Sequence, residues 1–241
     1  MECPIHLTVG NRSLSMYKRA MKVSFGLLNR RPCLVPTLRG WLLIVLALSA
    51  TGFFAVKNVH SFLAVNDPVD GGALVIEGWA PDYALAEAIT EFKRHHYDKL
   101  YVTGGGMEAG APLSEYRTFA ELGTAILTRI GMEQKFVEEA PAPTVGKDRT
   151  YASAVALREL LRREGKTANE INLLTVGVHA RRSRLLFEKA FGPGTKVGIV
   201  AIEDHNYNPA RWWKNSHGFR SVTGELIAYC YARLFFSPER E

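Results

Sequence analysis

Cysteine is scarce in this chain, with three in 241 residues, at Cys3, Cys33 and Cys230. Two precede the one long apolar run and the third stands alone near the end. No pairing is implied, and no Cys-x-x-Cys or His-rich spacing of the zinc type occurs. Cysteine usage therefore leaves the redox compartment open. Also missing are the Gly-x-Gly-x-x-Gly spacing and the Walker lysine, which argues against ordinary dinucleotide and P-loop sites. There is no nucleophile elbow, no Ser-His-Asp order and no His/Asp set for a metal. No internal repeat is found. The sequence names no cofactor and no oligomeric state.

Acidic residues are missing from one region in particular. Residues 1–60 hold eight basic side chains (Arg12, Lys18, Arg19, Lys22, Arg30, Arg31, Arg39 and Lys57) against Glu2 alone. The remainder carries 22 basic and 23 acidic residues, so the net charge of +6 belongs to the N-terminal segment. A near-neutral body lacks the field of a nucleic-acid binder, and no nucleic-acid partner is expected. With 47% hydrophobic residues the chain suffices for one good-sized domain plus an appendage.

The appendage is the run Gly40 to Val56, GWLLIVLALSATGFFAV, which contains no charge. Its length is at the short end of the roughly 17–25 residues that span a hydrocarbon core. Arg39 and Lys57 bracket it, and Trp41 stands where an interfacial aromatic belongs. A buried core helix is the plainer reading, but such helices seldom follow a basic tail. A cleaved leader is the sharper rival, with a start at Met21 and cleavage near Ala47-Leu48-Ser49. The long basic leader favours a retained anchor. Residues 1–39 then form a basic cytoplasmic segment, 40–57 a transmembrane helix in contact with the lipid bilayer, and 58–72 a linker. The charge bias places the N-terminus in the cytoplasm and the domain at 73–236 outside a bacterial inner membrane.

That domain alternates short apolar runs with helical patterns. Strands are expected at Ala73–Ile76, Leu100–Thr103, Lys135–Val137, Ile171–Val176 and Lys196–Ile202. Helices are expected from Asp82 to about His96, from Ser114-Glu115 to about Ile130, from Asp148 to about Glu164, over 180–191, and from Val222 to Phe235. The alternation predicts an α/β fold: a three-layer, Rossmann-like, mostly parallel five-stranded sheet with helices on both faces. Loops at strand carboxyl ends converge on one edge, where such sheets bind ligands. They carry Glu77, Gly78 and Trp79; Gly104, Gly105 and Gly106 with Ser114 and Glu115; Asp148, Arg149 and Thr150; His179 to Arg182; and Glu203 to His205.

The densest cluster is Val178-His179-Ala180-Arg181-Arg182-Ser183-Arg184, at the opening of a helix directly after a strand. A helix N-terminus offers unpaired N–H groups and partial positive charge, and a guanidinium fork adds a fit for phosphate or carboxylate. The plainer reading is a solvated basic face. Beside arginines His179 is expected to have a lowered pKa and to serve as a neutral base or donor. The glycine run is either a tight turn or a backbone nest for an anion. Glu115 suits a helix start in any case, and Asp148 reads equally as a helix cap. Trp212-Trp213 is packing or, if exposed, an interfacial pair.

Taken in order, these motifs resemble the YdcF/SanA/ElyC-like family of small bacterial envelope-associated α/β proteins over about residues 70–235. The carriers are Thr103-Gly104-Gly105-Gly106, Ser114-Glu115, Asp148-Arg149-Thr150 and Val178-His179-Ala180-Arg181-Arg182-Ser183. The family His and Arg fall on His179 and Arg182, and a terminal helix with an acid near aromatics fits Glu225 and Tyr229. The chain departs in three places. Glu77-Gly78 replaces a glycine pair, Tyr83 and Ala84 stand where an arginine is usual, and Ala152 to Ala154 replace an asparagine motif. The resemblance implies a Rossmann-related fold, with some members linked to S-adenosylmethionine and others to envelope integrity or lipid-carrier metabolism.

Two functional expectations follow. One is an envelope factor that binds an anionic, phosphate-bearing small molecule or lipid-carrier headgroup at the sheet edge. The other is an enzyme on a nucleotide-like or S-adenosylmethionine-like ligand. In the enzyme, His179 is the acid/base, Glu115 an auxiliary acid, and Arg182 with the glycine loop the anion clamp. Glu77, Gly78, Ser114, Arg149 and Thr150 complete the expected ligand contacts.

Overall fold

The computed structural model describes residues 28–30, 34–107 and 111–238. The chain forms two compact units, Met1–Lys57 and Asn58–Glu241.

In the first unit β1 (Leu28–Arg30) pairs antiparallel with β2 (Leu34–Pro36), and α1 (Leu38–Leu63) then begins. Thr37 caps it: its hydroxyl accepts from Gly40 N at 3.2 Å. The helix runs for 26 residues, about 39 Å at ~1.5 Å per residue, more than the ~30 Å of a hydrocarbon core. It exceeds the 40–57 expected because Lys57 and His60 do not interrupt it. Its most apolar window has a mean hydropathy of 1.9, and none of that window is buried. By length and composition this helix is able to cross a membrane, and its apolar surface is unburied, unlike that of a core helix.

The second unit is built on an all-parallel sheet in the order β5-β4-β3-β6-β7. The strands are β3 (Ala73–Glu77), β4 (Leu100–Gly104), β5 (Val137–Pro141), β6 (Glu170–Val176) and β7 (Lys196–Ile202). The three central strands are buried almost throughout, as continuous apolar runs require, while the edge strands mix buried and open positions. Along β3, Leu74 and Ile76 join one cluster and Val75 the other. The two-residue period divides β4 and β6 the same way. The first cluster takes Leu85 and Ile89 of α2 (Asp82–Arg94) and Leu127 of α3 (Phe119–Arg129). The second takes Leu157 and Leu161 of α4 (Arg149–Arg163) and Phe187 of α5 (Ala180–Phe191). Each such buried side chain contributes roughly 1.5–3 kcal/mol of transfer free energy.

The connector is fastened to the sheet. Asp67 pairs with Ile199 by two backbone hydrogen bonds, covering the open edge of β7. Buried Asn172 accepts from Val69 N at 2.8 Å and donates to Val69 O at 2.7 Å.

Three element boundaries correct the sequence reading. The third strand is Val137–Pro141, and Gln134–Phe136 is a 3-10 turn instead. Only Val137 and Ala140 of this edge strand are buried, so its charged residues disguised it. α3 starts at Phe119 rather than at Ser114-Glu115, because Thr118 and Glu121 form a reciprocal capping box. The last helix, α6 (Ser216–Leu234), starts six residues before Val222, because Asn215 accepts from the N–H groups of His217 and Gly218. Asp82 is the first residue of α2 and makes no capping bond.

Candidate functional site

Strand order reverses at β3, which has β4 on one side and β6 on the other. In an open parallel sheet a crevice forms at the carboxyl ends on either side of such a point. Here β3 ends in Glu77, and β6 leads through Gly177 into a 3-10 turn, Gly177–His179, and then α5. Gly177 has φ +51°, the left-handed turn that sends the chain out of the sheet.

Four charged side chains meet there. Glu225, from α6, accepts from His179 Nδ1 at 2.8 Å and from Arg182 Nη2 at 3.1 Å through Oε1, and from Arg182 Nε at 2.8 Å through Oε2. Glu77 Oε2 lies 3.6 Å from His179 Nε2 and accepts from the Thr175 hydroxyl at 2.7 Å. Ser183 adds a longer contact to the same oxygen, at 3.4 Å. Trp79 stands edge-on to the imidazole, with ring centroids 5.0 Å apart.

These neighbours reverse the protonation expected of His179. Burial disfavours the imidazolium, but Glu77 and Glu225 outweigh it, raising the pKa to about 9. Glu225 is correspondingly held down: burial alone would raise it, and the His179 and Arg182 bonds bring it to about 2. Glu77 is also lowered, since the His179 cation and the Thr175 hydroxyl overcome its burial. At neutral pH the quartet is therefore two cations and two carboxylates. Both ring nitrogens of His179 face carboxylates, so the residue is built as a fixed cation and not as a free base.

A cleft of about 510 Å³ opens beside the quartet. Its other wall is the start of α4. Asp148 precedes this helix in a left-handed conformation (φ 55°) and makes no side-chain cap. No hydrogen bond within the described residues engages the side chains of Thr150 and Ser153, which line the cleft and are 9% and 7% exposed. Arg182 also lines it, and its Nη1 makes no hydrogen bond among the described residues. With His179 protonated, the lining presents Lys147, Arg149, His179 and Arg182 against Glu77 and Asp148. Apolar surface from Trp79, Phe119, Pro143, Leu186 and Tyr231 completes the walls.

Most residues expected at the site are brought together: Glu77, Gly104, Gly105, Gly106, Arg149, Thr150, His179 and Arg182 all line the cleft. Gly78, Ser114 and Glu115 do not. Glu115 is exposed in the loop ahead of α3, four residues before its first helical residue. Gly78 faces α3: a Cβ there would lie 2.0 Å from Phe119 O. Gly104 is similarly tight, with Phe119 Cβ 2.7 Å and Ala120 N 2.9 Å from such a carbon. None of Gly104, Gly105 and Gly106 has positive φ, so the run contains no left-handed turn. Gly104 lets α3 approach the sheet, while Gly105 and Gly106 face Pro143 and Thr144.

The other charged candidates have different tasks. Arg181 donates to Phe62 O and lies 4.1 Å above the Phe62 ring; Arg184 binds Asp67 at 2.7 Å and Glu188 at 3.1 Å. These two hold the connector, leaving one arginine of three at the cleft. Asp204 pairs with His217 at 3.3 Å, and His205 stacks on Tyr83 with centroids 4.0 Å apart. Trp212 is packed in a cluster with Leu63, Val178 and Tyr207.

Ser153, Thr175 and Ser183 went unread in the sequence. A signal existed for one of them: Thr175 is a lone hydroxyl in the apolar run Leu173-Leu174-Thr175-Val176. Glu225 stood out only through the family resemblance, although it is the sole acid in Ser216–Leu234. Comparison of the sequence with protein-family models and with curated proteins finds no match.

Proposed function

We propose that this chain is a membrane-anchored envelope protein of the YdcF/SanA/ElyC-like kind. Its three-layer, Rossmann-like domain binds a phosphate-bearing small molecule or lipid-carrier headgroup at the carboxyl edge of the sheet. α1 is the anchor, its N-terminal side is cytoplasmic, and the domain lies outside a bacterial inner membrane.

The observation that carries the ligand reading is the unpartnered pair Thr150 and Ser153 at the opening of α4. Both residues are mostly buried and line the cleft, and no described residue bonds their hydroxyls, which leaves these oxygens open to a group in the cleft. The uncapped first turn of a 15-residue helix supplies N–H donors at the same place, and Arg182 Nη1 supplies a charged one. Such a donor set suits phosphate oxygens, and the apolar walls suit an organic group attached to the phosphate. Because His179 Nδ1 bonds Glu225 and Nε2 faces the Glu77 carboxylate at 3.6 Å, the site favours binding over turnover.

The test is titration calorimetry with inorganic phosphate and phenyl phosphate on the full chain in nanodiscs. The Thr150→Val/Ser153→Ala double variant should weaken binding at least about 10-fold, the loss expected from two hydrogen bonds to a charged ligand. Binding at the wild-type affinity would overturn the assignment. A reporter fused after Glu241, active on one side of the membrane only, tests the topology: an extracytoplasmic signal is expected, and a cytoplasmic one sinks that part.

A further inference from the structure

α6 has two faces of opposite character. Val222, Glu225, Leu226, Tyr229 and Ala232 turn inward, and Glu225 is the only acid of the helix. The opposite side leaves Phe219, Ile227, Tyr231 and Leu234 exposed, with Phe235 directly after the helix; Ile227 and Leu234 are each 71% exposed. At 100° per residue Phe219, Cys230, Leu234, Ile227 and Tyr231 fall within one arc of about 120°, which Ser216, Thr223 and Arg220 share. The charged residues in and near that arc are all basic: Arg220 and Arg233 on α6, and Arg211 and Lys214 in the turn before it, all exposed. Exposed apolar side chains with only basic charges among and beside them, and the single acid turned inward, suit contact with an anionic bilayer surface.

The chain itself says which partner is within reach. This unit begins at Asn58, inside the helix whose preceding turns are the apolar run, and four residues of chain separate Lys57 from Phe62. Phe62 packs edge-on against Tyr229 of α6, with centroids 5.6 Å apart, and Arg181 clamps the same residue. α6 is thus docked on the first residues that follow the apolar run.

We propose that the exposed face of α6 lies in the bilayer interface, with Phe219, Ile227 and Leu234 among the lipid chains and the basic fringe on anionic phospholipid headgroups. This rests on the reading of α1 as a membrane anchor. Tyr231 belongs both to this face and to the lining of the cleft. The cleft is therefore bordered by the surface that meets lipid.

The experiment uses the full chain with Cys3, Cys33 and Cys230 changed to Ser, reconstituted in phosphatidylcholine vesicles containing one quarter phosphatidylglycerol. Spin labels are placed at Ile227→Cys, at Leu234→Cys and, on exposed Ala86 of α2, at Ala86→Cys. Collision with oxygen and with a water-soluble nickel chelate is then compared. Labels at 227 and 234 should favour oxygen over nickel at least 5-fold relative to the label at 86, and less so without phosphatidylglycerol. Equal nickel access at all three positions in carbonate-resistant protein would overturn this inference alone. Low access to both reagents would mean that a second protein copy covers the face, and would overturn it too. Extraction by carbonate would remove the anchor reading and this inference together.

Discussion

On the α5 and α6 side of the cleft each charge is answered by another: Glu225 holds His179 and Arg182, and Glu77 faces His179. On the α4 side polar groups are left open, with an uncapped first turn and two cleft-lining hydroxyls that no described residue engages. The first wall is satisfied internally and the second is not, which under the proposed function makes the first the scaffold and the second the surface that meets the ligand. Conspicuous charge in a sequence thus marked the scaffold of this site more than its recognition surface. The two walls should respond oppositely to substitution, one losing stability and the other losing affinity.

The largest effect is expected from Glu225. Replacing it with Ala leaves His179 and Arg182 as buried cations without their shared carboxylate, which should cost about 3–5 kcal/mol in denaturant unfolding of the second unit. Arg182→Met together with Glu225→Met should lose less than the two single changes combined, because neither charge is then stranded. Additive losses would mean that the quartet is not a unit.

The pH dependence comes next. His179 is raised from its ordinary 6.5 to about 9, so its contribution is fully present below 6.5 and lost as pH climbs through 9. That arm amounts to something on the order of 3 kcal/mol. Glu225 is lowered to about 2, so its contribution is present above the usual carboxylate range and lost as pH falls toward 2. Stability should be flat from about pH 5 to about pH 6.5 and decline on both sides, already falling at neutrality, and His179→Gln should abolish the alkaline decline. An alkaline decline of the same size in His179→Gln would assign it to other groups.

A medium effect separates the glycines. Gly104→Ala should cost about 1–3 kcal/mol, since the new carbon meets Phe119 and the Ala120 backbone below 3 Å. Gly105→Ala should change stability by less than about 0.5 kcal/mol, because its nearest contact is an ordinary 3.5 Å to Pro143 O. Thermal melts of the two variants would show whether the run serves packing position by position.

The fold was legible because its signals are periodic and local. β7 and α5 fall where the sequence put them, since apolar alternation and the residues after Gly177 leave little choice. β5 was misplaced because an edge strand with Glu138 and Glu139 lacks the apolar run used to find strands. α3 was begun early because Ser114-Glu115 mimics an N-terminus, while the capping box at Thr118 fixes the real one. The site was legible as a set of loops. Its electrostatics were not: the carboxylates that set the state of His179 come from positions 77 and 225, and only the fold brings them to one imidazole. Arg181 and Arg182 are adjacent in sequence, yet one binds the connector and the other the cleft. Helix geometry sends neighbouring residues to faces about 100° apart, so a run of charge cannot be read as one site.

The smallest stability effect belongs to the α4 wall, and it is the most discriminating. Thr150→Val removes a cleft-lining hydroxyl that no described residue engages, so the folded state loses no internal bond. Unfolding of Thr150→Val/Ser153→Ala should therefore stay within about 1 kcal/mol of wild type, on either side. Had these hydroxyls been structural, their loss would strand partners and cost more. Glu225→Ala and this double variant then form the two corners of one experiment. The first should unfold early, and where still folded should bind phosphate weakly because Arg182 is no longer oriented. The second should melt like wild type and bind poorly. If the double variant instead loses several kcal/mol with phosphate affinity intact, the open wall is scaffold as well, and the ligand must be sought elsewhere on the molecule.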